Sequence, residues 1–204
     1  MRTTYFISEK FLLISVAISF LACSLVLGAE KEETEYKSPN GKATLTVATN
    51  PRLPSASGQR RTFSLIVGHQ RKWAKTFAGE WVGPPEVIWL PDSSLVAIAD
   101  SANSAGDNVI YAINNVFRSP TVYHHKVDAL AESLVKSLKG DEKSLETYKF
   151  WISRLTATER NISAILWISC GTIYKCPISF AIGRSRLHLT DKPIVSTFSE
   201  AIAQ

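Results

Sequence analysis

Over much of the chain, apolar and polar positions alternate with a period of two, and clusters of turn-forming residues break the alternation at short intervals. Ser38-Pro39-Asn40-Gly41 reads as a tight turn, and Ala43-Thr44-Leu45-Thr46-Val47 behind it as a strand with β-branched residues at alternate positions. Pro51, Pro54 and Gly58 mark a loop, followed by a strand over 62–67, a polar turn over 68–71 and a strand over 72–77. After the breaker Gly83-Pro84-Pro85 come a strand over 86–90, the turn Pro91-Asp92-Ser93-Ser94 and a strand over 95–99. An Asx-rich turn over 103–108 and a returning strand over 109–113 complete a meander of short antiparallel strands.

The period then changes. Val127, Leu130, Leu134, Val135 and Leu138 fall at helical spacing. Asp128 and Glu132 near the start and Lys136 and Lys139 near the end complement the helix dipole, and Gly140 stops the run. The spacing predicts a helix over 127–139, leaves 141–148 open between a second short helix and a loop, and returns to strands over 150–155, 164–169, 173–182 and 187–189. The expected fold is mainly β, an antiparallel meander of blade-like sheets (an incomplete propeller or a sandwich) with one helical insertion. Alternation places Trp89, Leu95, Ala97, Ile165 and Trp167 on inward faces.

The first 29 residues have another character. Arg2, Glu9 and Lys10 precede a nearly unbroken apolar block of about 19 residues, and an acidic run from Glu30 to Glu35 follows. This is the layout of an export signal or an N-terminal anchor. Small Ala29 before Glu30 offers a cleavage point, and Ala22-Cys23 admits a lipoprotein reading in which Cys23 is acylated. In each case 30–204 is expected to form one extracytoplasmic domain, periplasmic or secreted, that meets a membrane only through an uncleaved or lipidated leader. All five tryptophans lie beyond the leader, which argues for a packed core. Removing Arg2, Lys10 and Glu9 lowers the net charge from +5 to +4. Arg60-Arg61 and the 69–75 segment form only a local basic hairpin, not the long stripe that phosphate tracking requires, so nucleic acid is not an expected partner.

Without Cys23, Cys170 and Cys176 remain as a pair in Cys-Gly-Thr-Ile-Tyr-Lys-Cys, flanked by strand-like sequence. An oxidising compartment and a hairpin between them predict a structural disulfide. No Cys-x-x-Cys or nearby histidine completes a zinc set.

The turn Ser38-Pro39-Asn40-Gly41 entering Ala43-Thr44-Leu45 recurs in form as Pro91-Asp92-Ser93-Ser94 entering Leu95-Val96-Ala97. A degenerate third copy is read at Trp167-Ile168-Ser169-Cys170-Gly171-Thr172-Ile173. These segments resemble the Ser-Pro-Asp-Gly turns of WD-like propeller repeats in bacterial periplasmic proteins, and of small exported bacterial proteins of unknown function with one or two such turns. The resemblance covers about a third of the chain and lacks the roughly 40–45-residue period of a closed propeller. It implies blade-like sheets and no enzyme activity.

Candidate chemistry is sparse. There is no Gly-x-Ser-x-Gly elbow, His-Glu-x-x-His pair or phosphate-cradling loop. His124 and His125 are adjacent and diverge on any regular element, while His69 and His188 stand alone. Asp100, Asn103, Asp107 and Asn108 gather oxygen ligands in one loop at a spacing that fits no calcium-binding loop, and Asp92 is expected to cap its own turn. No catalytic, cofactor or metal residue is assigned. Two function classes follow. One is an exported, non-catalytic interaction module that meets an envelope or extracellular protein through sheet edges or exposed aromatics, with Trp73 and Trp81 as the candidate surface. The other is an extracytoplasmic hydrolase using scattered Asp and His, which would need a pocket joining His124 or His188 to Asp92, Asp100 or Asp107.

Overall fold

The computed structural model describes residues 32–50, 59–79, 83–101, 108–139, 148–184 and 186–202. The leader, Trp81 and the Asn103 and Asp107 positions lie outside them. The organising element is a run that does not alternate. Leu95-Val96-Ala97-Ile98-Ala99 forms β6 (Leu95–Asp100), and every residue of that strand is buried. Antiparallel strands normally bury one face, and a continuous apolar run demands cover on both.

That cover comes from two flanking sheets. The middle sheet runs β5 (Glu86–Trp89), β6, β7 (Val109–Asn114), β8 (Thr121–Lys126). The first runs β1 (Glu32–Lys37), β2 (Ala43–Asn50), β3 (Gln59–Val67), β4 (Gln70–Gly79). In the third, β9 (Lys149–Ala157), β10 (Asn161–Ser169) and β11 (Ile173–Ala181) lie in sequence order, and two short pieces, β12 (His188–Leu189) and β13 (Ile194–Ser196), share the outer side of β11. All pairings are antiparallel, so the fold is the expected mainly β meander of blade-like sheets.

Val96, Ile98, Val109, Tyr111 and Ile113 pack toward Leu45, Val47, Phe63 and Leu65 of the first sheet. Leu95, Ala97, Ala99, Ile110 and Ala112 pack toward Ile162, Ala164, Leu166 and Ile168 of the third. Helix α1 (Asp128–Lys139) adds Ala131, Leu134 and Val135 to this second core, with Val127 just before it, as the spacing predicted. A five-residue helix, α2 (Phe198–Ile202), ends the described chain and buries Ala201.

Burial holds for Leu95, Ala97 and Trp167, the first two on inward faces as expected. Trp89 is half-buried between the first two sheets, its indole N–H donating to the Tyr36 carbonyl at 3.2 Å. Ile165 and Trp167 correct the picture. The residues of β10 that meet the middle sheet are Ile162, Ala164, Leu166 and Ile168, so alternation turns Ile165 and Trp167 to the opposite face. Trp167 is buried there by Trp151, stacked at 6.2 Å, by Arg154 over its ring at 5.8 Å and by the Ser153 hydroxyl, which accepts its indole N–H at 2.7 Å.

The turn echo is real for two copies and misplaced for the third. Ser38 N–H donates to Ala43 C=O at 2.9 Å and Leu90 N–H to Leu95 C=O at 3.0 Å; Gly41 N–H to Ser38 C=O and Ser93 N–H to Leu90 C=O close the same inner loop. Gly41 and Ser93 both take the left-handed conformation, with φ of 69° and 65°. In the third sheet the turn joining the first two strands is Thr158–Asn161, closed by Thr158 N–H to Asn161 C=O at 2.8 Å. The Ser169–Ile173 segment instead links the second and third strands.

Candidate functional site

The sequence's candidates scatter over the stack. Trp73, on edge strand β4, is half-buried and packs its ring 5.9 Å from Tyr111, beside Phe77. It helps seal the first core and is not a free aromatic. Asp92 caps its own turn, as expected, accepting from Ser94 N–H at 3.0 Å and Ser94 Oγ at 2.8 Å; these bonds hold its carboxyl below the usual range. The fully buried Ser93 links the two matching turns, its Oγ accepting the Asn40 N–H at 3.1 Å.

Cys170 and Cys176 are buried and unbridged in the structure, which does not show the expected disulfide. The register explains why. In the β10–β11 hairpin Cys176 stands opposite Leu166, whereas Cys170 lies beyond Ser169 in the turn, so the two never face each other as cross-strand partners. Burial, with Cys170 nearby, pushes the Cys176 thiol up to about 11. Pro177 sits inside β11, where its carbonyl accepts Thr190 N–H at 2.9 Å. Its missing donor is therefore on the side where the neighbouring strand splits into β12 and β13.

Asp100, with Asn103 and Asp107 of the expected cluster outside the described residues, has its partner on another sheet. It ends β6, is 3% exposed, and meets Arg61 of β3 at 2.5 Å in a buried ion pair. Arg61 also donates to Gly83 C=O at 2.8 Å and to Thr49 Oγ1 at 3.3 Å. Burial raises the Asp100 carboxyl to about 6 against the opposing pull of Arg61. Above this pair the first two sheets leave a cleft of about 280 Å³, bordered by Glu32, Thr34, Thr49, Arg61 and Pro85.

The histidines lie elsewhere. His124 and His125 are consecutive on β8 and face opposite sides of the middle sheet: His124 stacks on Tyr111 at 6.0 Å, and His125 packs on Phe180 of the third sheet at 4.1 Å. Burial and the neighbouring His124 hold His125 below the ordinary histidine range, and the Arg184 carbonyl opposes them. His188 reaches Ser179 Oγ at 3.4 Å. Among the described residues, the cleft above Arg61 is bordered by no histidine and the depression beside His124 and His125 by no aspartate.

What sequence reasoning missed is the outer edge of the third sheet. β13 pairs with β11 through Ile173–Ser196, Tyr174–Val195 and Lys175–Ile194. Ile194 and Val195 are 54% and 66% exposed, among the few large apolar side chains in solvent. The Ile-Val dipeptide was the available signal, but it is too short for a period to emerge. The strand is held from its C-terminal side: Glu200 accepts from Ser196 Oγ at 2.5 Å and Lys175 Nζ at 3.1 Å, and its carbonyl from Arg154 Nη2 at 3.3 Å. Comparison with family models, curated proteins and solved structures found no match.

Proposed function

We propose that this chain is an extracytoplasmic, non-catalytic interaction module that captures an extended segment of an envelope or extracellular protein along β13. The observation that carries the reading is the exposure of Ile194 and Val195 on the outermost strand of a sheet. An edge strand offers backbone donors and acceptors to an incoming strand. Adjacent exposed apolar residues point to the two faces of a strand and fit the side-chain pockets used in β-strand addition. Export is supported by the apolar leader and its acidic boundary, and the mature chain then begins at Glu30. The resemblance to turn-bearing exported proteins supports the same compartment.

The test is a pull-down from native envelope extract with the domain from Glu30 onward, set against an Ile194→Lys/Val195→Lys variant. The reading expects a partner retained by the wild type and lost by the variant, with the melting temperature nearly unchanged because both side chains are exposed. Equal recovery by both proteins would refute the edge as the binding surface. The intact mass of exported protein tests the compartment separately: a retained leader or a lipid on Cys23 contradicts cleavage at Ala29.

A further inference from the structure

Between β8, the start of α1 and the Arg186-Leu187 stretch lies an open depression of about 620 Å³. Its charged lining is of one sign: Lys126 and Arg186 border it beside His124 and His125, and no described lining residue is acidic. Leu130 and Leu187, both half-buried, supply its apolar part. We propose that this depression binds an amphiphilic anion, a carboxylate or phosphate head on a short aliphatic stem.

Four observations support the assignment. The volume falls within the roughly 300–1,000 Å³ of small-molecule sites, which combine apolar walls with a few placed polar groups. Arg186 is exposed and makes no ion pair or hydrogen bond among the described residues, so its guanidinium can meet an anion with two parallel donors. His125 is pre-positioned. It is 7% exposed and its ring is fixed against Phe180, so it forms a rigid wall of the depression. Finally, the acids of α1 are turned elsewhere. Asp128 is approached by the Asn108 amide at 3.5 Å, and both Asp128 and Glu132 act on Tyr148, whereas Ala129, Leu130 and Ser133 face the depression. The positive end of the α1 dipole, next to Lys126, adds to the attraction.

Calorimetric titration of the domain from Glu30 onward with decanoate tests this, using decyltrimethylammonium as the same stem with opposite charge and inorganic phosphate as a head without a stem. Saturable decanoate binding is expected, with phosphate at least about tenfold weaker and no competition from the cation. Arg186→Glu should weaken decanoate about tenfold or more. Lys192→Glu makes the same charge change at an exposed residue outside the depression and should leave binding within about twofold. No saturable decanoate binding, equal binding of the cationic amphiphile, or equal losses in the two variants would overturn the proposal. Co-sedimentation with phosphatidylglycerol vesicles that Arg186→Glu abolishes would assign the anion to a membrane headgroup. Decanoate binding without co-sedimentation would assign it to a free ligand.

Discussion

Arg61 and Asp100 carry the largest electrostatic stake of any described pair, because both side chains are almost wholly removed from water while their charges remain. Breaking such a pair from one side strands the other charge and costs roughly 3–5 kcal/mol, whereas replacing both by apolar groups is often close to neutral. Arg61→Met should therefore destabilise strongly in urea unfolding, and Arg61→Met/Asp100→Leu should recover most of the loss. The pH dependence has a definite sign. The folded carboxyl titrates at about 6, above the roughly 3.9 of an unfolded aspartate, so this residue's contribution is most favourable below about pH 4 and is lost as pH rises through about 6. Wild type should gain stability relative to Asp100→Asn as pH falls from 7 toward 4, and a gain in the other direction would contradict the burial argument. The sequence placed Asp100 in an oxygen-rich loop because its partner lies 39 residues away, where local patterning carries no information. The register of the two cysteines was not legible for a related reason. A spacing of six positions suits a bridge only in one register, and the register that buries Leu166 with Cys176 is another. Neither thiol should react with an aromatic disulfide reagent in the folded protein, and both should titrate after denaturation; a count of zero in denatured protein would restore the bridge.

At the scale of elements, the strands that patterning found are those with a buried face, and those it missed are edges. β1 reads Glu-Glu-Thr-Glu-Tyr-Lys with nearly every side chain in solvent, and β8 is mostly exposed or half-buried, so neither carries an apolar alternation. Their pairing is decided by the neighbouring strand, through backbone bonds that any sequence can make. Helix α1 was legible because its apolar stripe meets the core at every turn. The contact that joins the second and third sheets was not legible. Arg154 stands at a bulge in β9 with φ of 55°, and the Glu86 carboxylate of β5 accepts the N–H groups of Arg154 at 2.8 Å and Leu155 at 2.6 Å. A carboxylate receiving two backbone donors fits a bulge that leaves those donors without ladder partners. Glu86→Ala should cost about 2–4 kcal/mol, counting about 1.5–3 for each charged bond less the water that replaces it. Chemical denaturation reads this, and a loss under about 0.5 kcal/mol would show that the bulge holds without the carboxylate.

Over the whole molecule, the middle sheet is covered on both faces and the outer sheets end the stack in different ways. The first turns a face of Thr44, Thr62, Ser64 and Thr76 outward, with the hydroxyls of Thr62 and Thr76 2.9 Å apart. The third covers Trp167 with Trp151 and Arg154, and Arg154 is tied in turn to α2. A polar or covered outer face is what the end unit of a stacked array requires. The edge at β13 exposes two large apolar side chains, and the proposed function rests on it. Backbone amide exchange across the domain, measured alone and with the partner captured from envelope extract, tests it most directly. Amides of β6 and β7 should exchange slowest in both states, since both their faces are packed. Those of 194–196 should exchange rapidly alone and become protected in the complex; protection confined to other strands, with 194–196 unchanged, would contradict the account.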